Sequence, residues 1–388
     1  MGLYIGDKRI CPIVRVKGDD TKGKYLVTVI DYDGTVLKQD HLNNGDKMYL
    51  PPAPNHSNLV FQGWSCADGV STDSTGAKYV TVDGADLTVG AYYNTTDGRT
   101  EIDIELTPNM SLAVTFKMNG TKDWGDGTTS TSTSHTYANA GKYTIKCNGT
   151  SWGSTSSTSG LFGQSSSNIN YFVTNIRVGS NITTLNATYC FAYLYALRTI
   201  SLSSKTSTTL GTHWIRNAIN LVAIVIPEGF KSLGTYALYN LTNCNYVALP
   251  STLTSIGVSS LMYSQWYSLT VPKALLSLAN SSLSNNTKIT SFRIPPNLTT
   301  LGSTVFNSCN ALKYLKFPKT LVTIGNNCFA SLRDCEYDFT DLTSVPTGGT
   351  TMFSTLYPNA KIYVPASLVT TWKTATNWAT YANYIYGV

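Results

Sequence analysis

Five short stretches decide the architecture: Ile224-Val225-Ile226-Pro227, Val247-Ala248-Leu249-Pro250, Leu269-Thr270-Val271-Pro272, Phe292-Arg293-Ile294-Pro295 and Leu315-Lys316-Phe317-Pro318. Their prolines fall 23, 22, 23 and 23 residues apart. A second apolar cluster follows each one, as in Leu253-Thr254-Ser255-Ile256-Gly257 and Leu321-Val322-Thr323-Ile324-Gly325. A small or aromatic run comes next, such as Ala237-Leu238-Tyr239 or Cys328-Phe329-Ala330. A period in the low twenties specifies a solenoid. One such unit has too few apolar edges to close a core, so neighbouring coils must stack to bury it. Proline ends each strand because it cannot donate the next ladder bond, and the glycine is expected to permit the bend that follows.

Working outward, weaker copies extend the array back to Ile176-Arg177-Val178 and Ile200-Ser201-Leu202. Forward, they reach Tyr337-Asp338-Phe339 and Ile362-Tyr363-Val364-Pro365. The block resembles the BspA-type (Treponema-type) leucine-rich repeat, which implies a parallel sheet on one face. The spacing drifts at 203–220 and 340–360, where a bulge in the coil is expected. After Pro365 the pattern places Leu368, Trp372, Ala375 and Ala379 on one helical face, predicting a helix that caps the open end.

Upstream, 25–65 carries alternating strands around Asp31-Tyr32-Asp33-Gly34, a hairpin signal. Val29, Asp33, Gly34, Gly45, Pro51, Phe61, Gly63 and Trp64 resemble the short β-grasp repeat of Gram-positive surface adhesins. From 101 to 150, short strands surround Trp124-Gly125-Asp126-Gly127, His135-Thr136-Tyr137 and Gly141-Lys142-Tyr143, which resemble the PKD-type immunoglobulin-like domain. Asp126 and His135 take turn and strand positions in that family. The fold class is therefore mainly β with short helices and several domains. The boundaries are an N-terminal docking segment (1–22), a β-grasp-like unit with linker strands (23–100), a PKD-like sandwich (101–150), a Ser/Thr/Gly-rich linker (151–170), a leucine-rich-repeat solenoid (171–365) and a C-terminal cap (366–388).

Composition narrows the function. Charged residues are 13% of the chain, about half of the ~25% usual in soluble domains. The net charge of +6 comes without a basic run, so nucleic-acid binding lacks its electrostatic footprint. No stretch is long and apolar enough for membrane insertion or a secretory signal. The eight cysteines are scattered without a Cys-x-x-Cys pair, which predicts buried free thiols and neither zinc nor a disulfide framework. His41, His56, His135 and His213 lie far apart, and the carboxylates Glu228, Asp334, Glu336, Asp338 and Asp341 make no paired site. No catalytic residue, metal or cofactor is expected, and the protein reads as a non-enzyme.

A broad surface rich in Tyr, Ser, Asn and Thr suits recognition. Trp214, Tyr239, Tyr263, Trp266 and Tyr267 fall in the non-strand parts of successive coils and are the candidate ligand-binding residues, with core packing as the alternative role. The expected ligand is a host surface glycan or protein. The segment Leu3-Tyr4-Ile5 through Ile10-Cys11-Pro12-Ile13 is similar to the leader of phage head-fibre and tail-associated proteins of gut Firmicutes phages. That resemblance implies docking to capsid or tail proteins through Leu3, Tyr4, Ile5, Ile10, Pro12 and Ile13, a virion-surface location, and a homo-oligomeric fibre. A bacterial cell-surface adhesin is the alternative setting, and a polysaccharide depolymerase the second alternative.

Overall fold

The structure, a computed structural model, describes the backbone of 4–5 and 8–9 and then residues 23–153, 155–156, 159–165, 170–182, 185–203, 209–354 and 356–388. Of the docking residues, Leu3, Ile10, Pro12 and Ile13 lie outside the described residues. Tyr4–Ile5 pairs antiparallel with Lys8–Arg9.

The repeat folds as the period requires. One parallel ladder comprises Ala223–Val225 and Tyr246–Ala248, then Tyr314–Lys316, Glu336–Asp338 and Lys361–Val364. A single bridge, Ser268 to Ser291, marks the intervening coils. A second ladder stacks Thr209–Leu210, Ser232–Leu233 and Ser255–Ile256, then Ser277–Leu278, Thr300–Leu301, Thr323–Ile324 and Thr347–Gly348. Each coil closes with a five-residue run whose first and last residues often take positive φ, as at His213 and Asn217, Tyr236 and Asn240, and Ser259 and Tyr263. Alternate N–H groups of this run donate to the next coil: Phe191 to Trp214 O (2.7 Å), Ile215 to Ala237 O (3.0 Å), Leu238 to Ser260 O (2.9 Å). Backbone groups are thus satisfied on all three sides without long strands.

The repeated glycine acts by close approach, not by bending. Gly257 and Gly325 lack positive φ. A Cβ on Gly257 would sit 2.7 Å from the Gly234 carbonyl carbon, and one on Gly325 would sit 2.4 Å from the Ser303 nitrogen. Coils touch backbone to backbone along this column.

The segments flanking the solenoid close it. Thr100–Leu106 pairs antiparallel with both Gly141–Cys147 and Val173–Arg177, and Val173–Arg177 runs parallel to Thr199–Ser201. The sheet of the second module therefore continues into the first coils. Trp124, Phe116 and Ile145 share one buried core with Phe191, Leu194 and the rest of the solenoid. The described residues of 151–170 are no free linker: Leu161 and Phe162 are buried, Phe162 stacks on Phe116 at 5.1 Å, and Trp152 meets Phe191 edge-on at 5.3 Å. Their apolar side chains outweigh the hydroxyl-rich composition around them.

At the far end the helix spans only Val369–Thr374, between short 3-10 turns Ala366–Leu368 and Ala379–Tyr384. Trp372 and Trp378 are fully buried, whereas Ala379 is exposed. The chain leaves the helix at Ala375, which becomes extended (φ −65°, ψ 147°), so the expected helical face ends there. A final strand, Ile385–Gly387, adds to Lys361–Val364.

The first module carries a four-stranded sheet ordered Val36–Leu42, Tyr25–Ile30, Leu87–Thr95, Leu59–Ser65, and its own core of Val27, Val29, Met48, Trp64, Val80 and Val89. Asp31 to Gly34 is the expected turn: Gly34 N–H donates to Asp31 O, and Gly34 has φ +90°. The module lies on the strand face of the solenoid. Ile30 and Tyr92 pack on Ala223, Val225 and Ala248, and Ser65 Oγ donates to Ile226 O at 2.6 Å. Gly90 allows this contact, since a Cβ there would fall 2.4 Å from Val225 Cγ2.

Candidate functional site

The five-residue runs sort their side chains by position. Second and third positions point inward, which makes buried columns of Cys190, Trp214, Ala237, Val305 and Cys328, and of Phe191, Ile215, Leu238, Leu261, Leu283, Phe306 and Phe329. Trp214, a candidate ligand-binding residue with core packing as its alternative role, is fully buried because it occupies the second position. Trp266 is fully buried too. It stands in the column Leu197, Leu221, Cys244, Trp266, Ile289, Leu312, Cys335, reached one residue early in the coil whose prolines are 22 apart. Both indoles are core groups, and burial of such rings is a main source of solenoid stability.

In the runs 189–193, 213–217, 236–240 and 259–263, ring residues at the first, fourth and fifth positions build an aromatic ridge, whereas small residues at those positions, such as Ala192 and Ser259, are buried. Tyr189 stacks on His213 (centroids 4.3 Å, 16° between planes), and His213 stacks on Tyr236 (4.7 Å, 8°). Beside this stack Tyr236 meets Tyr239 edge-on at 5.3 Å, and Tyr239 meets Tyr263 at 5.5 Å. Of the expected ligand-binding residues, Tyr239 and Tyr263 therefore come together. Tyr267 is the most exposed of the five, at 63%, and its ring faces Lys288 Nζ at 5.2 Å instead. Sequence reasoning missed Tyr189, His213, Arg216 and Tyr236. Their signal was the recurrence of ring residues at the first position of three successive runs.

Arg216 lies at the centre of the ridge. Its guanidinium sits 4.8 Å from the Tyr239 ring, 5.3 Å from Tyr236 and 5.9 Å from Tyr193, distances that give cation–π attraction. Nη1 donates to His213 Nδ1 at 3.2 Å, and Nε is buried without a partner. Burial first, and then the charge of Arg216, push the His213 pKa down to about 4. The ring is neutral at pH 7, which suits its role as acceptor. Burial also raises the hydroxyl pKa of Tyr189 and Tyr239, so both remain protonated donors.

Elsewhere the polar groups are structural. His135 Nε2 and Asp126 Oδ2 lie 2.7 Å apart, with the imidazole stacked on Trp124. Although burial opposes it, bonds from Thr128 and His135 hold Asp126 down at about 2. Seven cysteines are free and buried, and burial pushes the thiols of Cys66, Cys244, Cys309 and Cys335 up to about 12, which removes the reactive thiolate. Cys11 lies outside the described residues. Among the described residues no group of three or more His, Cys, Asp or Glu converges as a metal site, and no helix is long and apolar enough to cross a membrane.

Solved structures similar to this chain are repeat proteins. A leucine-rich repeat protein from Bacteroides ovatus is 18% identical, with 53% of this chain and 66% of that one covered and a TM-score of 0.37. A leucine rich cell surface protein from Faecalibacterium prausnitzii is 16% identical, with 43% and 59% covered and a TM-score of 0.31. The T. pallidum Leucine Rich Repeat protein is 14% identical, with 50% and 85% covered and a TM-score of 0.35. The chain thus spans less than two thirds of the length of the first two. No curated protein sequence matches it. The family description "BspA type Leucine rich repeat region" matches in six copies across residues 163–244 and 208–337, so the solenoid of this chain is similar to that repeat family.

Proposed function

We propose that the chain is a leucine-rich-repeat recognition protein of the bacterial cell surface that binds its partner through the ridge of Tyr189, His213, Arg216, Tyr236, Tyr239 and Tyr263. The ridge carries this reading: it is a run of stacked rings around a cation, on a side of the solenoid that the first module does not cover. Tyrosines give large contact area at low ordering cost and keep a polar tip for hydrogen bonds. The match to the BspA type repeat supports a cell-surface setting. It lends nothing to the virion location or to docking on capsid or tail proteins, and no carboxylate pair on the ridge supports a depolymerase.

The test is adhesion. Purified protein is added to cells that share the source habitat, and retention is compared with that of a Tyr239→Ala/Tyr263→Ala double variant. Loss of retention in the folded variant is expected; equal retention sinks the ridge as the binding surface. Antibody labelling of intact source cells checks the location, and label found on phage particles instead would reverse it.

A further inference from the structure

The charges of the solenoid are one-sided in all but its last coils. Residues 171–333 hold twelve lysines and arginines and a single acid, Glu228. Arg177, Lys273, Arg293 and Lys316 find carboxylates in the flanking modules or the last coils. Arg198, Arg216, Lys231, Lys288, Lys313, Lys319 and Arg333 have no ion-pair partner among the described residues.

Arg216 differs from the rest of these in being partly buried. Among the described residues, the other arginines withdrawn from solvent each have a carboxylate: Arg99 has Asp97, Arg177 has Glu101 and Asp103, and Arg293 has Asp68. Arg216 has ring faces, a neutral imidazole and an unpartnered Nε. A guanidinium drawn from water without a counter-charge is an incomplete arrangement, and its planar fork matches an oxyanion in two-point fashion. The surroundings fix what else the ligand must carry. The Tyr189, His213 and Tyr236 rings stack face to face across three coils, so the stack offers its ring edges and tyrosine hydroxyls, groups that suit the C–H edges and hydroxyls of sugars.

We infer that the ridge binds an acidic polysaccharide, with a uronate carboxylate on Arg216 and the sugars set against the edges and hydroxyls of Tyr189, Tyr236 and Tyr239. This deepens the surface-recognition reading and rests on it. The solenoid lysines without a carboxylate partner add long-range attraction for a polyanion.

The test uses the full chain in titration calorimetry against polygalacturonate, its methyl ester and single-stranded DNA of matched charge. The ester keeps the ring and removes the anion. Binding of polygalacturonate, much weaker binding of the ester, and about a tenfold loss in Arg216→Gln with a smaller loss in Arg216→Lys are expected. Lys319→Gln, away from the ridge, serves as the control for bulk charge. Equal affinity for acid and ester overturns the inference, as does an unchanged Arg216→Gln, or DNA bound more tightly than polygalacturonate. Should Arg216→Gln fail to fold by circular dichroism, Tyr239→Ala takes its place, with the same tenfold criterion. If polygalacturonate does not bind but cell adhesion still depends on Tyr239 and Tyr263, the inference fails and the recognition reading stands. If adhesion is also unchanged in the Tyr239→Ala/Tyr263→Ala variant, both fail.

Discussion

Replacing Arg293 with alanine should loosen the first module from the solenoid. Arg293 Nη1 donates to Asp68 Oδ2 and to the Asp83 carbonyl, both at 2.7 Å, while Nη2 meets Asp68 Oδ1. The Arg293 side chain is 14% exposed and that of Asp68 3%. Removing one member of a buried pair costs about 3–5 kcal/mol, chiefly because the other charge is left unmatched. Here Lys273 Nζ remains 3.6 Å from Asp68 and 2.5 Å from Asp83, so part of the field survives and about 2–3 kcal/mol is the expected loss. The same loss should not appear in an Asp68→Ala background, because no buried carboxylate then remains to be stranded. Urea unfolding of the two single variants and the double variant gives the coupling energy. Hydrogen exchange locates it: the peptide covering Leu87–Thr95, which packs on Ala223–Val225, should exchange faster in Arg293→Ala while the interior strand Glu336–Asp338 does not. A coupling below about 0.5 kcal/mol, the level of an exposed pair, with exchange unchanged, would refute the claim that this ion pair fastens the module.

Three further outcomes follow from the same geometry. Trp266→Ala should cost about 3–5 kcal/mol as a large cavity in a packed core, whereas Tyr267→Ala one residue later should stay within about 0.5 kcal/mol; similar melting temperatures for the two would show the column assignment to be wrong. Gly90→Ala places a methyl against Val225 and Ala248 and should cost about 1–3 kcal/mol by overpacking, read by urea unfolding and by faster exchange in the first module, with Gly141→Ala as a comparison whose methyl meets nothing closer than 3.4 Å. His213 titrates near 4 in the fold against an ordinary 6.5, so the unfolded chain binds more protons between those values and stability falls as pH drops through the window. Allowing for the ring's partial exposure, about 1–2 kcal/mol separates pH 7 from pH 4, a difference that His213→Gln should abolish; a resonance assigned to His213 that titrates at 6.5 would remove its basis.

How much of this the sequence carries depends on what each contact leaves in the pattern. The coils are legible because most of them repeat the same apolar ladder and close glycine, and a spacing of 22 or 23 residues survives substitution. Trp214 misleads because large rings are rare at an inward second position otherwise held by Cys190, Ala237 and Cys328. Trp266 misleads because one missing residue shifts its column. The seat of the first module is silent for a different reason: it is built from Gly90, Ala223 and Ala248, small residues whose meaning is the absence of a side chain. Their partners are more than a hundred residues away, and no period links them. The closing strand Ile385–Gly387 is three residues long, too short for an alternation to show.

The packing of the flanking segments also decides where a partner can bind. A solenoid offers two ends, a strand face and the turns between. One end is sealed by the sheet of 100–147 and the other by Trp372 and Trp378. Ile30, Tyr92 and the Asp68–Arg293 pair occupy the strand face over the middle coils. Past Tyr314 that face is open, but its charges answer one another: Lys316 pairs with Asp341 at 3.0 Å, Lys361 with Glu336 at 3.4 Å, and the Tyr314 hydroxyl donates to Asp338 at 2.5 Å. A partner docking there must first separate groups that are already satisfied, and each broken charge-assisted bond is worth about 1.5–3 kcal/mol. The ridge around Arg216 presents the opposite case. Its guanidinium rests on ring faces and on the His213 nitrogen but has no carboxylate among the described residues, so an anion placed there separates no ion pair, and the energetic preference of an acidic ligand falls on the turns of the early coils.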